Sequence, residues 1–195
     1  MDRLTRISRK TNETDISIQL DLDGSGKADI STGIPFFDHM LTAFTVHGFF
    51  DLKVEAKGDL EVDFHHTIED VGLVLGQALA KILENKAKIV RFGNSTVPMD
   101  EALSSVTIDL SNRPYLVYNF PDSLKTRGLF DADLAREFFQ ALCVKGAFNL
   151  HINAHYGTNE HHVLESVFKA LGRALHTATR INDRISGTLS SKGTL

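Results

Sequence analysis

DFHHTIEDVG at residues 63–72 and NEHHVLESVF at residues 159–168 decide how this chain is read. Each writes His-His-x-x-Glu at the head of an apolar stripe, in a chain with only nine histidines to place. In the first copy the stripe runs Ile68, Val71, Leu75, Leu79 and Ile82; in the second it runs Leu164, Val167, Leu171, Leu175 and Ala178. Those spacings follow the 3.6-residue period of a helix with one buried face. Gly76 and Gly172 fall at matched places on the two stripes.

The match extends upstream. With His39 laid over Glu137, Gly48 falls on Gly146, Phe50 on Phe148, Leu52 on Leu150 and Val54 on Ile152. Two copies of such a unit describe a duplicated domain rather than a solenoid. The expected boundaries are a single domain over 1–195 made of halves 1–92 and 93–195. In the first half, Ile16, Ile18, Leu20 and Leu22 alternate as a strand into DGSG, read as a hairpin turn leading to Lys27–Ser31. In the second half, Val106, Ile108 and Leu110 lead through SNRP to Tyr115–Phe120, and Thr96–Met99 offers an additional edge strand. A helix follows in each half, opened by Pro35 in the first and carrying Leu134, Phe138 and Leu142 in the second. Each half therefore reads strand, strand, helix, strand, helix. The class is α+β. The tail from Ile181 has no periodicity and is expected to be flexible unless a ligand orders it.

At 195 residues and 42% hydrophobic content the chain buries a sizeable core. A net charge of -4 supplies no field for nucleic acid or an anionic membrane, so an anionic ligand needs local basic residues. The start MDRLTRISRK lacks a secretory apolar region and no apolar run is long enough to span a bilayer, which predicts a soluble, cytoplasmic protein. The lone Cys143 excludes an internal disulfide and, among Phe138, Phe139 and Leu142, reads as a buried inert thiol.

Neighbouring helical side chains point about 100° apart, so paired histidines serve two ions better than they chelate one. A glutamate three or four residues on shares a face with one of them and bridges the sites. The bland alternative is a helix start with Glu in its first turn, and duplication weakens it. The repeat also nominates His39 and Glu137 as donors. Nitrogen and oxygen ligands without cysteine suit manganese, with zinc or iron as alternatives. His151 and His155 alternate with apolar residues and belong on an outer sheet face; His47 and His176 read as polar-face residues. DLDGSGKADIST at 21–32 imitates a calcium loop, but its twelfth place is Thr32 rather than Glu, and a turn is the better reading.

These residues carry a resemblance. RKTNET at 9–14, FFDHML at 36–41, DFHHTIEDVG at 63–72, RFG at 91–93 and PMDEAL at 98–103 resemble imidazoleglycerol-phosphate dehydratases of histidine biosynthesis. So do SNRPYL at 111–116, REFFQAL at 136–142, LHI at 150–152, YGTNEHHVLESVFKALGRAL at 156–175 and SSKGTL at 190–195. The resemblance covers essentially the whole chain, leaving no room for the phosphatase fused to some relatives. It implies two mixed sheets with helices packed between them, a ribosomal protein S5 domain 2-like fold. It implies two Mn2+ ions per active site, held by His39, His65, His66, Glu69, Glu137, His161, His162 and Glu165. Many relatives carry His where this chain has Glu137. The resemblance further implies metal sites between subunits and a homo-oligomer of 24 copies assembled from trimers.

The implied substrate is a phosphate ester of an imidazole-bearing glycerol, which loses water to leave a ketone. No carbonyl acidifies the departing proton, so the ring must serve as an electron reservoir, with cations on its nitrogens. Family matching puts Glu13 among the substrate contacts, which makes it the expected base, with Glu165 the alternative. It assigns Arg91, Arg113, Lys169, Ser191 and Lys192 to the phosphate. Asp100 in PMDEAL is read as holding a ligand or a water, with a plain turn after Pro98 as the alternative. Two rivals remain open from the residues alone: a dinuclear hydrolase of a phosphate ester, and a non-catalytic shell assembled by metal.

Overall fold

Alternate residues of two central strands, Thr14, Ile16, Ile18 and Leu20 in one and Ala102, Ser104, Val106 and Ile108 in the other, turn inward and are buried. That alternation builds a sheet with one face on the core. The computed structural model describes residues 3–121, 124 and 130–194. The first half runs β1 (Leu4–Lys10), β2 (Thr14–Asp21), β3 (Ala28–Ser31), α1 (Pro35–Gly48), β4 (Asp51–Gly58) and α2 (His65–Ile82). The second runs β5 (Phe92–Met99), β6 (Ala102–Asp109), β7 (Tyr115–Asn119), α3 (Ala132–Gly146), β8 (Asn149–Tyr156) and α4 (Glu160–Thr179). Each half makes a four-stranded mixed sheet, in the order β1-β2-β4-β3 and β5-β6-β8-β7.

Two expectations change. Each half opens with one more strand than strand, strand, helix, strand, helix allows: β5 enlarges the suggested edge strand, and β1 went unread because Thr5 is its only buried side chain. The DGSG stretch is not a hairpin turn. β3 lies parallel to β4, not against β2. Asp51 Oδ1 accepts the backbone N–H groups of Ser25 at 2.7 Å and Lys27 at 3.0 Å, and Gly26 donates to Phe50 O at 2.9 Å. These bonds fasten the loop to the start of β4, so α1 crosses over between parallel strands.

The helices lie between the sheets and pack crosswise. α1 packs on α4, and α2 on α3, so each half's first helix meets the other half's second. Glycine permits the approach: a methyl at Gly76 would stand 2.7 Å from Leu142 O, and one at Gly172 would overlap Phe44 O. Phe37 against Phe138 and Phe138 against Phe168 have ring centroids 5.3 and 5.6 Å apart, joining both halves in one apolar cluster. Each such buried ring contributes roughly 1.5–3 kcal/mol. The copies agree at their helix ends too: α1 and α3 both stop on a left-handed residue that is not glycine, Phe49 and Ala147.

Cys143 is buried, its Sγ 2.9 Å from Phe148 O, and burial pushes the thiol up to about 11. The tail pairs with residues 87–89. Ile181 and Thr188 bridge to Ile89 and Ala87, Lys88 N–H donates to Gly187 O, and Asn182 N–H donates to Lys88 O, both at 2.8 Å. Backbone pairing leaves no side-chain periodicity, which is why no pattern of residues announces it. Among the described residues, no helix is long and apolar enough to cross a membrane.

Candidate metal centre and active site

His39 on α1 and His161 on α4 aim Nε2 at one oxygen, Oε2 of Glu165, at 3.2 and 3.1 Å. The ligand atoms of these three residues lie within 4.8 Å of one another. His161 and Glu165 share a helix face as an i, i+4 pair. His39 reaches them only because α1 lies hard against α4 over Gly172. The other Glu165 oxygen takes a 2.6 Å ion pair from Lys169, one turn further on. Burial pushes the Glu165 carboxyl up, but Lys169, His39 and His161 together outweigh it and hold the group at about 2. A carboxylate oxygen ionised at neutral pH beside two imidazole nitrogens fits a divalent cation.

The first copy of the motif is open. His65 Nε2 stands 3.9 Å from Glu69, whose side chain is 43% exposed against 9% for Glu165. Among the described residues, His39, His161 and Glu165 form the one such donor group, so Glu137 does not close a matching cluster on His65 and Glu69. Leu73 stands where the other copy has Lys169, so Glu69 lacks the ammonium one turn further on.

The second histidine of each pair turns away from the first, with ring planes at 87° for His65 and His66 and at 84° for His161 and His162. Each then meets a carboxylate that sequence reading missed. His66 Nδ1 lies 3.0 Å from Asp59, and His162 Nδ1 lies 2.7 Å from Glu101. Asp59 raises the pKa of His66 above its ordinary value, with Glu13 adding to the effect. Glu101 does the same for His162, and its own carboxyl falls to about 2 through that bond and the N–H of Asn159. Asp100, in a left-handed turn conformation beside Glu101, stands 3.9 Å from His162 Nε2. The missed signal was available: β2 and β6 begin at Thr14 and Ala102, so the two hairpin tips align Glu13 with Glu101. Glu13 is exposed, and its carbonyl accepts the Asp59 N–H at 3.1 Å.

The residues assigned to phosphate separate into two places. Arg91 forks onto Asp109 at 2.7 and 3.0 Å and donates to Leu189 O at 2.8 Å. With Arg184, Thr188, Ser190 and Ser191 it lines an open depression of about 470 Å³. Arg113 is 65% exposed and 3.7 Å from the same aspartate, while Lys192 lies exposed in the tail. Lys169 is engaged with Glu165 in the His39 and His161 cluster instead. His151 and His155 are exposed on the outer face of the second sheet, as expected.

Fold and site together define a duplicated α+β chain with a clustered nitrogen and oxygen donor set. Residues 32–175 match the profile of the family described as imidazoleglycerol-phosphate dehydratase. The chain belongs to that family. It is 56% identical over 189 residues to the imidazoleglycerol-phosphate dehydratase of Syntrophobacter fumaroxidans, covering 97% of this chain and 96% of that one. To the Acetivibrio thermocellus enzyme of the same name it is 55% identical over 195 residues, all of both chains. The crystal structure of the Staphylococcus aureus dehydratase superposes with a TM-score of 0.80 at 39% identity, covering 91% of this chain and 99% of that one. A Pyrococcus furiosus dehydratase, solved in complex with (S)-C348, gives 0.84 at 38% identity, covering 97% and 100%.

Proposed function

We propose that the chain dehydrates D-erythro-imidazoleglycerol phosphate to imidazoleacetol phosphate and water, a step of L-histidine biosynthesis, in the cytoplasm. The observation that carries this is the His39, His161 and Glu165 cluster in a chain that matches such dehydratases along its whole length. We read residues 1–195 as one dehydratase domain of two halves. The donors His39, His65, His66, Glu69, Glu137, His161, His162 and Glu165 would hold two Mn2+ ions per site. Bound there, the ions supply Lewis acidity that draws charge from the ring nitrogens of the substrate.

The protein's own residues divide the remaining work. A proton acceptor works best with a pKa near the operating pH, and Glu165 at about 2 is a weak one. That favours Glu165 as ligand and leaves the base to exposed Glu13, close enough to His66 to act on its charge. Arg91 and Arg113 offer planar forks to the phosphate, with Ser191 and Lys192 from the tail. Lys169 is held by Glu165, away from the depression that Arg91 lines, so one copy does not present all five groups to one phosphate. The isolated Glu69 pair is incomplete in the same way. Both favour a site completed between copies, in the 24-mer built from trimers.

Incubation with Mn2+ and imidazoleglycerol phosphate is expected to yield a ketone that keeps its phosphate. Release of inorganic phosphate would instead mark a dinuclear hydrolase. A metal-loaded shell inert towards this substrate would overturn the catalytic reading altogether.

A further inference from the structure

We propose that Asp59 and Glu101 are a matched pair of positioning residues, which fix the rings of His66 and His162 so that each presents a bare Nε2 to a cation. This rests on the metal-binding reading above and names residues that the ligand set does not contain. An ionised carboxylate only accepts hydrogen bonds, so an imidazole nitrogen facing one at hydrogen-bond distance must carry the proton. Asp59 meets His66 at Nδ1 with both oxygens, at 3.0 and 3.2 Å, and Glu101 meets His162 at Nδ1 at 2.7 Å. A proton held on Nδ1 leaves the Nε2 lone pair of the neutral ring free to bind metal.

The two carboxylates come from non-equivalent places. Asp59 follows β4, whereas Glu101 sits in the turn between β5 and β6. Duplication alone does not account for that, because the position equivalent to Glu101 holds Glu13. Two different loops converge on the same nitrogen of equivalent histidines. Recurrence of the contact on different scaffolding marks the contact itself as the feature kept.

Glu101 also has a structural duty, and its atoms separate the two roles. Oε1 accepts the N–H groups of Thr158 and Asn159 at 3.2 and 2.8 Å, anchoring the start of α4, while Oε2 faces His162. In Glu101→Gln the amide carbonyl can keep the backbone bonds, which turns the NH2 group towards Nδ1. Nδ1 must then accept, and the proton moves to Nε2, where it blocks the metal. Asp59→Asn presents the same reversal to His66.

The test is a Mn2+ titration of the full chain, following the resonance of free Mn2+ by electron paramagnetic resonance, with nitrogen-15 spectra of the histidine rings at alkaline pH. Glu101→Gln and Asp59→Asn are each expected to weaken Mn2+ binding by roughly 10–100-fold. They should shift the ring proton from Nδ1 to Nε2 and leave the melting temperature of the metal-free protein near that of wild type. Glu101→Asp keeps an acceptor-only partner and should restore part of the affinity. Mn2+ affinities equal to wild type in both amide variants would overturn the proposal, as would a metal-free wild type with its proton on Nε2 of His66 and His162. Should Glu101→Gln fail to fold, Asp59→Asn and Glu101→Asp still decide it. A wild type that binds no Mn2+ but carries the Nδ1 proton sinks the metal reading instead and leaves the hydrogen bonds standing.

Discussion

Glu165 and Glu69 occupy the same place in two copies of one motif, yet only the first sits in a finished cluster. Around Glu165 the fold gathers His161 from its own helix, His39 from α1 and Lys169 one turn on. Around Glu69 the counterparts are His65, Glu137 and Leu73, and the carboxylate stays open to solvent. A repeated sequence thus fixes a repeated backbone, while a site depends on the residues that differ between the copies. Glu137 in place of His39 lengthens and charges one donor; Leu73 in place of Lys169 removes the counter-ion.

The largest effect that sharpens this contrast is expected from Glu165→Gln. It should reduce Mn2+ affinity by at least ~100-fold, beyond the range typical of residues one step removed from the ion. Glu69→Gln should match that loss in the assembled protein and cost little in a dissociated subunit, read by metal content per chain after size separation. Equal losses in both states would mean that Glu69 needs no neighbour.

Gly172→Ala and Gly76→Ala probe the helix crossings. Each forces a methyl against a facing carbonyl and should destabilise by roughly 1–3 kcal/mol in denaturant unfolding. Only Gly172→Ala should also weaken Mn2+ binding within one chain, because only that crossing delivers His39.

Exchanging the counter-ions gives a smaller effect. Glu165 has its carboxyl depressed to about 2, so its stabilising contribution is present above the ordinary glutamate range and fades as pH falls towards 2. Lys169→Met should raise that pKa, so the metal-free protein loses part of the contribution at neutral pH and melts earlier on acidification. Leu73→Lys should give Glu69 the ion pair that Glu165 has, read as a small, salt-sensitive rise in the melting temperature of the metal-free protein.

The mildest test is pH itself. Asp59 and Glu101 hold His66 and His162 above the ordinary imidazole value. Metal must displace those protons, so Mn2+ affinity should begin to fall above pH ~6.5 as acid is added, at a higher pH than free imidazole would show. In Asp59→Asn that onset should move down.

Much of this was legible in the sequence, for physical reasons that also mark where it stopped. The helical stripes carrying His65 and His161 announced themselves because burial imposes a period. The repeat then pointed to His39, which the fold does bring to Glu165. β1 stayed hidden because its inward face buries so little, and β3 was placed wrongly because alternation marks a strand without naming its partner. Asp59 and Glu101 were missed because a loop carboxylate has no periodic neighbour. Their partners are set by convergence in space, and only alignment of the hairpin tips would have exposed Glu101. The tail ties to residues 87–89 through backbone groups, which every sequence possesses alike.

The crosswise helix packing has a consequence for ancestry. A single-copy forerunner of half this length could not fold its first helix onto its own second one in the manner seen here. It would have completed the corner only by pairing with a sister molecule about a twofold axis. Joining the genes end to end raised the effective concentration of each half for the other to roughly millimolar. Once joined, the two corners were free to diverge: one carries His39 and Lys169, and the other Glu137 and Leu73.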